Sequence, residues 1–218
     1  MPIRAIHIDW DDSILLPPAI DEWISMAGES IQAFWDSRKE KMLKGWVECD
    51  YRLVAQALLQ LSPSHASSHA CVVSGPFLEW GSGFAVVAGI AAKMGMEATG
   101  IESEAFLHRA ALRLHQRESL DTELIHGNFL PNAAKELAEA SDPVVSLAVS
   151  ANEAYSQLGR SLSEYRTVFV YAWPGEEHFL KAVFERYAGA NTILLLYRGP
   201  YHLEIYRKTL ARTGSENL

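Results

Sequence analysis

The chain has 218 residues, 49% of them apolar and 21% charged, and carries a net charge of −8. That length suits one α/β domain with a full core plus an N-terminal extension. The acidic balance argues against a nucleic-acid partner, whose backbone calls for a basic surface. A small molecule or a basic protein segment stays open as substrate. Two cysteines, Cys49 and Cys71, form no disulfide framework and suit a reducing compartment. There is no signal-peptide core and no apolar run long enough for a bilayer, so the expected location is the cytoplasm, with no membrane partner.

In chain order, Ile3-Arg4-Ala5-Ile6-His7-Ile8-Asp9 alternates in part and reads as a short edge strand or an arm. The acidic cluster Asp9, Asp11 and Asp12 reads as a solvated turn, because no glycine or distant glutamate completes a calcium loop. Pro17-Pro18 opens a helix, with Ile20, Trp23, Ile24, Ala27, Ile31, Phe34 and Trp35 on one wide apolar face. The charged run Arg38-Lys39-Glu40-Lys41 follows. This helix reads as a lid or docking helix outside the sheet, or equally as an ordinary packed helix. A second amphipathic helix spans about Tyr51 to Leu61 and ends at Ser62-Pro63-Ser64. Residues 1–62 are thus expected to form a helical extension or lid on a domain of residues 63–218. His65 and His69 have helical metal-pair spacing but no third ligand nearby, and no metal site is expected.

Residues 76–102, PFLEWGSGFAVVAGIAAKMGMEATGIE, organise the rest. Phe77 to Trp80 reads as a buried strand, Gly81-Ser82-Gly83 as a tight turn, and Phe84 to Met96 as a helix whose end Gly95 marks. A second strand, Ala98 to Ile101, ends on Glu102. Strand, glycine turn, helix, strand and terminal acid make a nucleotide-binding βαβ unit. The glycines admit a ligand close to the backbone. The helix aims free N–H groups at an anionic group, and Glu102 can accept hydrogen bonds from two neighbouring ribose hydroxyls. A dinucleotide site would need glycine where Val86 stands, and Glu79 would repel a pyrophosphate, which disfavours a nicotinamide oxidoreductase.

Beyond the motif, Ser103 to Arg117 reads as a helix and Thr122 to Phe129 as a third strand and its exit. Residues 132–166 are mostly helical in pattern, broken at Asp142-Pro143. Thr167 to Ala172 and Thr192 to Tyr197 are the fourth and fifth strands, separated by a helix from Glu176 to Tyr187. Their continuous apolar character fits a parallel sheet covered on both faces. Tyr201 to Tyr206 reads as one further strand.

The segment Glu79-Trp80-Gly81-Ser82-Gly83-Phe84-Ala85 resembles the first motif, [D/E]-x-G-x-G-x-[G/A], of the class I S-adenosylmethionine-dependent methyltransferases. The resemblance covers about residues 47–199. It implies an α/β, Rossmann-like three-layer sandwich with a mostly parallel sheet in the order 3-2-1-4-5, counted from Phe77, and an N-terminal helical extension packed over the cofactor mouth. It implies two finishing strands, for which the C-terminal tail looks too short. The implied cofactor is S-adenosylmethionine, held by Glu79, Trp80, Gly81, Ser82, Gly83, Glu102, Ser103, Asn128 and Phe129. Asn128 matches the place of an adenine-binding Asp or Asn, although an Asx turn alone also favours Asn there. The fourth-strand ending Tyr171-Ala172-Trp173-Pro174 looks most like that of small lysine methyltransferases. The acceptor is expected to be a small molecule or a protein, methylated on nitrogen or oxygen. Tyr171, Trp173 and Glu176 are the candidate catalytic residues, because ligands sit at strand carboxyl ends. The bland alternative makes both rings core and Glu176 a helix start. A methyltransferase-like binding protein without turnover is the rival reading.

Overall fold

The strands that the sequence makes continuously apolar lie in the middle of one sheet. The computed structural model describes residues 2–11, 13–37, 46–63, 73–134, 137, 154–200 and 202–209. Asp12, the run Arg38 to Lys41, His65, His69, Cys71, Asp142-Pro143 and Tyr201 lie outside the described residues.

The elements are β1 (Ile3–Ala5), α1 (Pro18–Asp36), α2 (Tyr51–Gln60), β2 (Phe77–Trp80), α3 (Val86–Lys93), β3 (Ala98–Glu102), α4 (Ala105–Arg117), β4 (Thr122–His126), the single turn α5 (Tyr155–Leu158), β5 (Thr167–Tyr171), α6 (Glu177–Tyr187), β6 (Ile193–Gly199) and β7 (His202–Lys208). Short 3₁₀ turns occur at Asn132–Ala134 and Leu162–Glu164. Among the described residues the sheet has seven strands in the order β1-β7-β6-β5-β2-β3-β4. Strands β4, β3, β2, β5 and β6 run parallel, while β7 is antiparallel to both β6 and β1.

The five strands counted from Phe77 lie in the order 3-2-1-4-5, and the expected sheet is corrected to seven strands by an antiparallel edge beyond β6. The two added strands come from opposite chain ends: β7 follows β6, and β1 pairs with it through Ile3 opposite Lys208 and Ala5 opposite Tyr206. The N-terminal segment read as edge strand or arm is an edge strand. A three-residue strand with Ile3 half-buried and Arg4 and Ala5 exposed has no apolar signature of its own, and only its long-range ladder defines it.

Side chains alternate across the sheet. Phe77, Ala98, Phe169 and Leu195 face a core completed by α1, α2, α3 and α4. Leu78, Trp80, Ile101, Val168, Val170 and Leu194 face a second core completed by α6 and the segment Tyr155–Tyr165. Three layers result. The helices α1 and α2 share their core with α3: Trp23 is fully buried and its Nε1 donates to Val86 O at 2.9 Å.

Candidate functional site

Strand order reverses between β2 and β5, so the carboxyl ends of these two strands form the topological switch point of the sheet. The turn after β2 stands at that point. Gly81 and Gly83 both adopt left-handed dihedrals, with φ of 63° and 56°. Ser82 N–H donates to Ile101 O at 2.9 Å, which pins the turn to the neighbouring strand.

Glu102 joins the turn to the next helix. Its Oε2 accepts Gly83 N–H at 2.6 Å and its Oε1 accepts Glu104 N–H at 2.7 Å. The side chain is buried, and burial raises its pKa above the ordinary carboxylate value against the opposing pull of these N–H groups. Glu79 lies under the same turn. It accepts Ala88 N–H at 2.7 Å and so serves as the side-chain cap of α3, whose own N-cap residue Ala85 provides none. Burial pushes the Glu79 carboxyl up to about 8.

On the other face, Trp80 is buried, donates Nε1–H to Tyr155 Oη at 2.9 Å and stacks on Phe129 at 5.1 Å between ring centroids. Asn128 is buried and its Oδ1 accepts Leu130 N–H at 2.9 Å, an Asx turn. Ser103 accepts His126 Nε2 through its carbonyl at 2.9 Å. Glu79, Trp80, the glycine turn, Glu102, Ser103, Asn128 and Phe129 are thus gathered at the ends of β2, β3 and β4.

The β5 end carries a separate aromatic wall. Tyr171 lies 5.1 Å from Tyr197 and 6.1 Å from Trp173, centroid to centroid. Asp50 N–H donates to Tyr197 Oη at 3.0 Å, which brings the segment before α2 onto this wall. Tyr171 and Trp173 are half-buried and adjacent. Glu176 is buried at the foot of the turn that starts α6, its N–H donated to Trp173 O at 2.9 Å.

Several residues here carried no functional signal in the sequence. Trp46 lies directly over the glycine turn: a Cβ on Gly83 would collide with its indole Nε1 and Cδ1. It joins Trp35 and Phe84 at ring distances of 5.3 and 5.4 Å. Cys49 lies near Glu79, and burial followed by the nearby charges of Glu79 and Asp50 pushes its thiol well up. Trp46 is 37 positions before Gly83, and no local pattern announces that contact. Among the described residues no group of three or more His, Cys, Asp or Glu is placed to hold a metal ion, and no helix is long and apolar enough to cross a membrane.

No protein-family model matches the sequence, and no curated protein matches it. Among solved structures the chain is similar to a protein from Corynebacterium glutamicum, with a TM-score of 0.51 and 12% identity over 93% of this chain and 94% of that one. It is also similar to an RNA methyltransferase from Salinibacter ruber in complex with S-adenosyl-L-homocysteine, with a TM-score of 0.47 and 15% identity over 79% and 99% of the two chains. A third is precorrin-6y C5,15-methyltransferase from Geobacter metallireducens, with a TM-score of 0.43 and 13% identity over 71% and 65%. Among the described residues the chain has a Rossmann-like α/β fold, with a mostly parallel seven-stranded sheet.

Proposed function

We propose that the chain binds S-adenosylmethionine at the glycine turn and directs its methyl group to a nitrogen or oxygen nucleophile at the β5 end. The observation that carries this reading is Glu102, whose carboxylate ties Gly83 N–H to the start of α4 at the switch point of the sheet. Each of its oxygens keeps acceptor capacity beyond the one N–H bond described, and vicinal ribose hydroxyls suit that donor-seeking pair. This acceptor pair therefore fits the cofactor's ribose. Phe129, stacked on Trp80, offers an aromatic face for adenine, with Asn128 and Ser103 at its edge. A sulfonium cofactor is cationic, and the buried acid Glu102 beside the turn favours a cation over a pyrophosphate.

The cofactor supplies an electrophilic methyl: the acceptor's lone pair forms the new bond as the carbon–sulfur bond breaks, the electron pair stays on sulfur, and the acceptor loses a proton. Tyr171 and Trp173 then have the task of aligning the acceptor and excluding water. Their faces suit an amine that arrives as a cation, and a lysine side chain is one such acceptor. Glu176, buried below them, shapes the turn that presents Trp173. Replacing Trp173 with Ala is expected to lower turnover while leaving cofactor affinity nearly intact.

The test is calorimetry with S-adenosylmethionine, S-adenosylhomocysteine and NAD, followed by tritiated methyl transfer into separated protein, RNA and small-molecule pools. Binding of NAD in preference to the two adenosyl ligands would defeat the reading. One observation favours the rival, a binding protein without turnover: Trp46 covers the Gly83 face of the turn. Tight S-adenosylmethionine binding with no label in any pool would select that rival.

A further inference from the structure

We infer that His115 and Trp23 form a brace that presets the glycine turn, His115 through the carbonyl of Ala85 and Trp23 through that of Val86. Both are positioning residues for the cofactor, and the inference rests on the cofactor reading above. His115 is the buried titratable group that the proposed chemistry leaves without a task.

The turn ends in a conformation that needs holding. Ala85 has φ 56° and ψ 36°, the left-handed region that a residue with a Cβ avoids. Its N–H donates to Ser82 O at 2.6 Å, which closes the turn, and its carbonyl accepts Gly89 N–H at 3.0 Å, which starts α3. That same carbonyl lies 3.0 Å from His115 Nε2. A carbonyl only accepts, so Nε2 carries the proton. On the far side of the ring, Nδ1 lies 2.6 Å from Thr122 Oγ1, and the hydroxyl donates to it. The relay Thr122 to His115 to Ala85 thus selects one tautomer and aims it at the strained residue. Burial lowers the His115 pKa to about 4, so the ring is neutral wherever the cofactor would be bound.

Trp23 works one residue later. Its Nε1–H donates to Val86 O at 2.9 Å, and its ring meets His115 edge-on at 5.1 Å and 78°. Gly89 lets it approach, since a Cβ there would collide with the indole. Neither the imidazole nor the indole is exposed, so the brace acts from behind the turn. The direction of Ala85 fixes how the turn passes into α3, and hence how Gly83 N–H meets Glu102 and the carboxylate meets a ligand. In this reading α1 is a buttress of the cofactor turn through α3.

The experiment exploits the two ring nitrogens. His115→Gln puts an amide nitrogen near the place of Nε2 and keeps the donor to Ala85, whereas His115→Asn reproduces the Nδ1 position and loses it. S-adenosylhomocysteine is titrated by calorimetry into the wild-type chain and both variants. His115→Gln should bind within about three-fold of wild type, and His115→Asn roughly five- to ten-fold more weakly, the scale of one net hydrogen bond. Asn is one methylene smaller than Gln and leaves the larger void beside Trp23, so thermal melting is measured beside affinity to separate packing from the lost donor. Equal affinities for the two variants would overturn the brace. Should they not fold, Thr122→Ser and Thr122→Val ask the same question of the relay: Ser should retain the affinity, Val should lose several-fold, and no difference overturns the inference. A wild-type chain that binds neither S-adenosylmethionine nor S-adenosylhomocysteine would instead remove the cofactor reading, and the brace's role with it.

Discussion

Glu79 and His115 titrate with opposite effects on stability, and their windows overlap only in part. Burial raises Glu79 from 4.5 to about 8, so its contribution is complete below pH 4.5 and is lost as pH rises through 8. Burial lowers His115 from 6.5 to about 4, so its contribution is complete above pH 6.5 and is lost as pH falls through 4. Between 4.5 and 6.5 the folded chain holds the Glu79 proton and the unfolded chain holds the His115 proton, and the two slopes cancel. Above 6.5 only Glu79 acts, with a slope approaching about 1.4 kcal/mol per pH unit. Thermal stability should therefore be greatest in mild acid and decline towards pH 8. Glu79→Gln should flatten that decline in a series of melting curves; an unchanged slope would assign the titration to another group. Glu102 makes a different prediction. Glu102→Ala should weaken S-adenosylmethionine binding by about 1.5 to 3 kcal/mol, and Glu102→Gln by less, because the amide keeps one acceptor oxygen. Unchanged affinity in a folded Glu102→Ala variant would leave this residue a purely structural tie between Gly83 and Glu104.

At the scale of elements, the packing of α1 against α3 is decided by one missing side chain. Gly89 is a poor helix residue, and alanine there would ordinarily gain about 1 kcal/mol. The added methyl would meet the indole of Trp23, which is fully buried and has no space to move into. Overpacking of that kind costs roughly 1 to 3 kcal/mol, and the bond from Trp23 to Val86 O would be strained as well. Gly89→Ala is thus expected to be net destabilising in urea unfolding, against its helix propensity. A stabilised variant would show that α1 yields easily to α3. The opposite side of the sheet is fastened by charge. Glu204 on β7 accepts from Lys181 at 2.8 Å, Arg198 at 3.0 Å and Tyr206 at 2.6 Å, linking β7 to α6 and β6. Those donors outweigh its partial burial and hold it at about 2, so this tie weakens only as pH falls below 4.5. Lys208 Nζ donates to Ala188 O at the end of α6, where a cation suits the helix dipole.

For the molecule as a whole, the first and last described strands meet on one sheet edge. Pairing of β1 with β7 covers backbone groups that would otherwise invite another chain. Deleting residues 2–8 should expose that edge, lower the melting temperature and promote association visible by light scattering. A monomeric deletion variant with unchanged melting would make β1 dispensable. This closure was only half legible beforehand: residues 3–9 read as an edge strand or an arm, and the tail after Gly199 looked too short for two strands. Nothing local tells a three-residue strand which partner it has.

The βαβ unit was legible because its signals are short-range. A glycine turn, an apolar helix and an acid at a strand end are set by neighbours within a few residues, and Gly81, Gly83 and Glu102 stand where that pattern puts them. The apolar runs of β2, β5 and β6 announced burial on both faces for the same reason. Contacts between residues far apart in the chain had no such signal. Trp46 on Gly83, Trp23 on Val86, His115 on Ala85 and Asp50 on Tyr197 join positions 30 to 147 residues apart. An aromatic or a histidine on an apolar helix face looks the same in sequence whether it fills a core or braces a turn. Only the folding of α1 and α4 against α3 distinguishes the two, because a hydrogen bond has direction and a hydropathy pattern does not.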